Sequence, residues 1–166
     1  MTMTTEQSRP RTGRFIAWTL FAGFAGGLVD LVYFSAKAEI EGSSPIRTMK
    51  AIAGFWLGKA AASGGLETAA LGLATHFGLA TIMALGYGIA TSMMPAVRRQ
   101  PFVSGPIYGL ILYAVMYLGV LPLRWPSIFP RFDGWTLLVL DGLVHIGVGT
   151  AIALVFSEKA REDASV

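Results

Sequence analysis

The sequence predicts an all-α integral membrane protein, a four-helix bundle with a short interfacial helix between its first and second spans. Three observations carry this. The 166 residues are 54% hydrophobic and only 14% charged, against roughly 25% charged in soluble domains, and the mean hydropathy is +0.58. Such a chain cannot clothe itself in a water-compatible surface. Four apolar runs then recur, at about residues 15–36, 66–93, 102–121 and 135–157. Each is long enough to cross a bilayer, and together they leave room for one domain, 15–157, with no separate soluble one.

Residues 1–14 form a short polar segment with Arg9, Arg11 and Arg14. The pattern is like the basic start of a signal peptide. The run from Phe15 to Ala36 is 22 residues, however, against the roughly 7–15 of a signal core, so it reads as a retained first span. It carries Gly23-xxx-Gly27, a spacing that lets helices approach closely, and Asp30, a carboxyl at membrane depth. Lys37, Glu39 and Glu41 beyond it read as solvated.

Ser44-Pro45 then has the form of a helix start, with Ser44 as N-cap and Pro45 in the first helical position. Ile46, Met49, Ile52, Ala53 and Trp56 repeat at helical spacing. This predicts an amphipathic helix over about 45–62 lying in the membrane interface, anchored by Trp56. Ser63-Gly64-Gly65 ends it. The second span, Leu66 to Met93, is long enough to require tilt. It holds Glu67 near its start and His76 deeper, and Pro95 closes it.

A tight connection with Arg98-Arg99 leads to the third span, which contains Gly105-xxx-Gly109 and the tyrosines Tyr108, Tyr113 and Tyr117, and which Pro122 is expected to stop. Residues 122–134 are rich in proline and aromatics and read as an interfacial loop, with Trp125, Phe129 and Phe132 at headgroup level. The fourth span runs from Trp135 to Ser157, and 158–166 form a charged tail.

Four spans place both termini on one side. The three arginines before the first span and the short Arg98-Arg99 connection favour the cytoplasm for that side. The net charge of +3 does not imply nucleic acid, because the basic residues fall at span ends, where they meet anionic lipid. Membrane lipid is the expected partner. Gly-xxx-Gly faces also suit association between copies. Cysteine is absent, which excludes disulfides, thiol catalysis and cysteine-held metals.

The chain contains an internal echo. His76 to Leu85 reads HFGLATIMAL, and His145 to Leu154 reads HIGVGTAIAL. These hold the only two histidines. A parallel duplication would set spans one and two against three and four, although in spans one and three the support is confined to apolar stretches around Gly27 and Gly109. Counting along the spans puts Asp30, His76, Asp141 and His145 at similar depth, between the surface and the midplane. Asp141 and His145 are four apart, on one helical face, and so able to pair. Charged groups at this depth cost about 2.5–3.5 kcal/mol, and such residues normally face the bundle interior. The four form the candidate intramembrane polar site, with Glu67 and Lys59 as accessory candidates.

Three functions fit. The lead is a small membrane protein supporting transport or membrane homeostasis through this His/Asp cluster. The alternative is a structural or interaction protein acting through its 37–65 extracytoplasmic segment. The third is a haem or metal protein using His76 and His145 as ligands, although two histidines are few for a tight metal site. No enzyme is expected, since no hydrolase elbow, phosphate loop or zinc-helix motif occurs, and no cofactor is called for.

The segment Ser44 to Phe77 (SPIRTMKAIAGFWLGKAAASGGLETAALGLATHF) resembles a group of four-span bacterial inner-membrane proteins. In these a Ser-Pro-Ile-Arg start precedes a short helix and a glycine-rich approach to a histidine-bearing span. The likeness continues at Tyr108-Gly109, at Val115-Met116, at Leu121-Pro122-Leu123 and at His145. It covers most of residues 15–156, with a more distant similarity to the YagU-type proteins. It departs after Val115-Met116, where an asparagine is expected and this chain has Tyr117. The resemblance implies a bacterial inner-membrane location and four helices, and it brings no substrate.

Overall fold

A computed structural model describes residues 11–128 and 134–164. Every regular element among the described residues is helical. The α-helices are α1 (Arg11–Ile40), α2 (Pro45–Leu57), α3 (Leu66–Met93), α4 (Pro95–Arg99), α5 (Pro101–Val115), α6 (Leu121–Arg124) and α7 (Trp135–Ala164). A 3₁₀ turn, Gly58–Ser63, follows α2, and a π-helical segment, Met116–Val120, joins α5 to α6. Four helical stretches are long and apolar enough to cross a membrane: Thr12–Ile40, Leu66–Met93, Pro101–Arg124 and Leu138–Lys159. Their outward faces are coated with large apolar side chains. Val32, Ile82 and Leu118 are 61%, 65% and 60% exposed, which a water-soluble monomer would not tolerate over so wide an area.

The long helices pack in the order α3, α1, α7, α5, with α1 touching both α3 and α7, and α7 closest to α5. α1 begins and α7 ends at one end of the bundle, here the proximal end. The opposite, distal end carries Ile40, Leu66 and Arg124. A compact apolar core fills the proximal half and middle, built from Ala22, Ala84, Tyr87, Val148, Ile152 and Phe156. Tyr87 is buried without penalty because its hydroxyl meets Ser104 Oγ at 2.7 Å and the Val97 carbonyl. Tyr108 ties α5 to α3 by donating to the Met83 carbonyl at 2.6 Å.

Several boundaries differ from expectation, for identifiable reasons. The first helix runs from Arg11 to Ile40, not 15–36, because helical hydrogen bonding continues past the apolar run on both sides. At roughly 1.5 Å per residue it is about 45 Å long, longer than the ~30 Å hydrocarbon core. Pro122 does not stop the third helix. It sits in the first turn of α6, and the π segment immediately before it absorbs the missing N–H and the clash of its ring with the preceding turn. The expected 122–134 loop therefore begins only at Trp125. Phe129 and Phe132 lie outside the described residues. The helix of α7 extends to Ala164, so most of the expected tail is helical. The Arg98-Arg99 connection is itself the short helix α4.

The short helix expected between the first and second spans forms as α2, ending at Leu57 rather than 62. Ser44 accepts from Arg47 N–H as its N-cap, and Gly58 ends it at φ +58°, a conformation that favours glycine. Met49, Ala53 and Gly54 are its buried face. It lies against α3 so closely that a side chain at Gly72 would collide with the Met49 carbonyl. Trp56 donates to Thr75 Oγ1 at 2.9 Å. Arg124 reaches across from α6 and donates to the carbonyls of Phe55 and Gly54, both at 2.9 Å. Both carbonyls lie in the last turn of α2, where Gly54 also accepts from Gly58 N–H, and a guanidinium there complements the helix dipole.

Candidate functional site

Two helix pairs build the site, and they are built alike. On α1, a Cβ at Gly23 would meet Thr81 Cα of α3 at 2.6 Å, and one at Gly27 would meet Phe77 Cδ1 at 2.9 Å and Ala80 Cβ at 3.1 Å. On α5, a Cβ at Gly105 would meet Thr150 Cα of α7 at 2.7 Å, and one at Gly109 would meet the backbone of His145 and Ile146. Each Gly-xxx-Gly thus docks on the same stretch of the repeated histidine motif, in the same register. The internal echo is a repeat of helix pairs, with α1 and α3 matching α5 and α7. The decisive correspondence, Gly23/Gly27 with Gly105/Gly109, was present in the sequence but looked like two ordinary small-residue motifs. All four glycines are buried inside the chain, so these motifs present no face to a second copy.

The repeat places the histidines at one level. Asp30 is ten residues from Ile40, His76 ten from Leu66 and His145 ten from Trp135, which is about 15 Å from the distal end in each case. His76 is 9% exposed, and its Nε2 lies 2.9 Å from the Gly27 carbonyl. A carbonyl can only accept, so Nε2 carries a proton and donates it. The other nitrogen, Nδ1, faces Asp30 Oδ2 at 3.9 Å. Asp30 also lies within electrostatic reach of His145 and Asp141. All four predicted site residues are therefore brought together.

Their pairing differs from the expected one. His145 Nδ1 donates to the backbone carbonyl of Asp141 at 2.8 Å, not to its carboxylate, because an i, i+4 histidine can reach back to its own helix. The Asp141 carboxylate instead turns to α1. It accepts from the Tyr33 hydroxyl in a short hydrogen bond and pairs with Lys37 Nζ at 3.2 Å. Lys37 is accordingly a site residue rather than a solvated one, and sequence reading missed Tyr33 altogether. Asp30, Tyr33 and Lys37 follow at i, i+3 and i+7 on one face of α1 (the available signal), obscured because Lys37 sits beyond the apolar run. Tyr113 of α5 packs on His145, ring centres 5.2 Å apart, and on Tyr117 at 5.5 Å.

The accessory candidates are elsewhere. Glu67 is exposed and accepts from Gly65 N–H at 2.7 Å, satisfying a donor at the start of α3. Lys59 is exposed in the turn after α2. Neither approaches the cluster, since both belong to the surface of the distal end.

Polar groups thus descend from the distal end in steps: Lys37 first, then Asp141 with Tyr33, then Asp30 with His76 and His145. Below them lies the apolar core. Two buried atoms in this region, Asp30 Oδ1 and the Tyr113 hydroxyl, have no hydrogen-bond partner. Among the described residues no three His, Asp or Glu side chains converge in a way that could hold a metal ion. Comparison with known protein families, with curated proteins and with solved structures finds no match, and the geometry of the site alone carries its chemistry.

Proposed function

We propose that the chain is a multi-pass protein of the bacterial inner membrane, with both termini cytoplasmic, that binds and passes protons as part of transport. The Asp30–His76 pair is its proton-binding site. One observation carries this reading: the Gly27 carbonyl holds the proton of His76 on Nε2, which turns Nδ1 towards Asp30. If His76 is neutral and Asp30 ionised, a lone pair faces a carboxylate. A single proton, on Nδ1 or on the carboxyl, relieves that repulsion and stabilises the pair. Histidine and a carboxylate in a low-dielectric setting are the groups whose charge changes near neutral pH.

The steps above the pair lead to it from the distal, extracytoplasmic side, while the core beneath separates it from the cytoplasm. In this arrangement the pair exchanges its proton with the distal side, and transport requires a second arrangement open to the other. The Tyr33–Asp141–Lys37 network has a different duty. It joins α1 to α7 and keeps one carboxylate neutralised.

Infrared difference spectroscopy against pH tests this on the purified protein. A protonated-carboxyl C=O band should titrate in the wild type and vanish in Asp30→Asn, with the folded yield retained. His76→Gln should keep the band but move its midpoint. A carboxyl band that survives unchanged in Asp30→Asn would sink the proposal. Liposomes with an imposed pH gradient supply the transport readout, with His76→Ala as the comparison.

A further inference from the structure

We propose that the same cluster binds a small organic ammonium ion, in exchange for the proton of the Asp30–His76 pair. The inference rests on the proton-binding reading and names its co-substrate.

The charge count comes first. Around Asp30 stand Tyr33 and Lys37 of α1, His76 of α3, and Asp141 and His145 of α7. Tyr113 of α5 packs on His145 and on Tyr117 of the π segment. On α2, the buried face is Met49, Ala53 and Gly54, and Lys50 acts on Glu67 at the surface. Lys37 neutralises Asp141. Among the carboxylates and ammonium groups of the cluster, one negative charge remains, on Asp30, about 15 Å from the distal end. Such a charge needs one positive partner. The proton is one, and when it leaves, a monovalent cation must replace it. Anions are excluded by the same count, and a neutral ligand leaves the charge uncompensated.

The side chains select the kind of cation. Asp30 uses Oδ2 towards His76, while its Oδ1 is buried with no hydrogen-bond partner, as is the Tyr113 hydroxyl. Buried polar atoms are ordinarily satisfied. Tyr113 packs on His145 from α5, and Asp30 of α1 lies within electrostatic reach of the same histidine. An ammonium N–H donates to Oδ1, and a polar group on the ligand meets the tyrosine hydroxyl. The rings of Tyr113, Tyr117 and His145 form a continuous aromatic wall, which favours organic cations over hydrated inorganic ones. The exchange balances. One ammonium enters, the proton of the pair leaves, and the charge of the site is unchanged.

Isothermal titration of the purified protein with tyramine, whose phenol can meet the Tyr113 hydroxyl, and with phenethylamine, which lacks it, tests this. Repeating it in two buffers of different ionisation enthalpy counts the protons released. The expected result is one proton released per ion bound, with affinity falling about tenfold per pH unit once the pair is protonated. Phenethyl alcohol and phenylpropionate should not bind. Tyr113→Phe should weaken tyramine about fivefold and phenethylamine much less, while leaving the titrating infrared band of Asp30 in place. If that band titrates but neither ammonium binds with proton release, or the alcohol binds as well as the amine, the cation site is wrong and the proton site stands. If no band belongs to Asp30, both are wrong.

Discussion

Replacing Gly109 by alanine tests the close approach that places His145. The added Cβ would lie against the carbonyl oxygen and carbon of His145 and 2.9 Å from Ile146 Cα. Ordinary carbon contacts are about 3.5–4.0 Å. All three neighbours are backbone, so no rotamer change clears the space, and α5 and α7 must separate. Gly149 packs into the same crossing, with Gly109 Cα 2.7 Å from where its own Cβ would stand, so the helices cannot slide to escape. Overpacking of this kind costs about 1–3 kcal/mol. Gly78 supplies the control. It lies mid-helix in the other copy of the motif, and a Cβ there meets nothing within 4 Å, so alanine gains up to about 1 kcal/mol of helix propensity. The two variants should therefore differ by about 1–4 kcal/mol, roughly 5- to 900-fold in the unfolding equilibrium. Denaturant titration in mixed micelles, followed by near-ultraviolet circular dichroism, reads this directly. Equal stabilities, within about 0.5 kcal/mol, would refute the tight crossing and with it the matched registers of the two helix pairs.

Asp141→Asn leaves Lys37 without its carboxylate in a partly buried position, where both side chains are about a fifth exposed. Stability should fall by up to about 3 kcal/mol, and adding Lys37→Met should restore much of it. No recovery in the double variant would show that the ion pair is not what joins α1 to α7. Arg124→Ala removes both donors to the end of α2. Amide exchange across Pro45–Leu57 should quicken about tenfold, from the loss of roughly 1.5 kcal/mol of charge-assisted hydrogen bonding, while exchange in α7 stays constant. Unchanged exchange in α2 would mean that its seat on α3 suffices. Trp56→Phe, which deletes the bond to Thr75, should cost about 1 kcal/mol in the same micelle titration, and a neutral result would make Trp56 an interface anchor only.

What the chain states locally proved readable from its letters. Hydropathy and run length predicted four long helices, because an apolar stretch without charges has few other uses. Ser44-Pro45 announced α2, since capping depends on neighbours three residues apart. Depth was legible too. A helix rises by a constant amount per residue, so counting placed Asp30, His76, Asp141 and His145 near one level. Partner choice was not legible. The sequence put Asp141 beside His145 on one helical face, yet Asp141 bonds to Tyr33 and Lys37, more than a hundred residues earlier. Pro122 looked like a stop, and only the π segment before it, held in place within the bundle, let the helix continue. The repeated histidine motif was visible as a string. Its meaning depended on which helix faced each copy, and that is set by the nonlocal fit of Gly23 and Gly27 on α3 and of Gly105 and Gly109 on α7. Secondary structure and depth follow from short-range periodicity, which a single chain displays. The orientation of His76 follows from a carbonyl on one helix, Gly27, meeting a histidine on another, and contact between helices arises only when they pack.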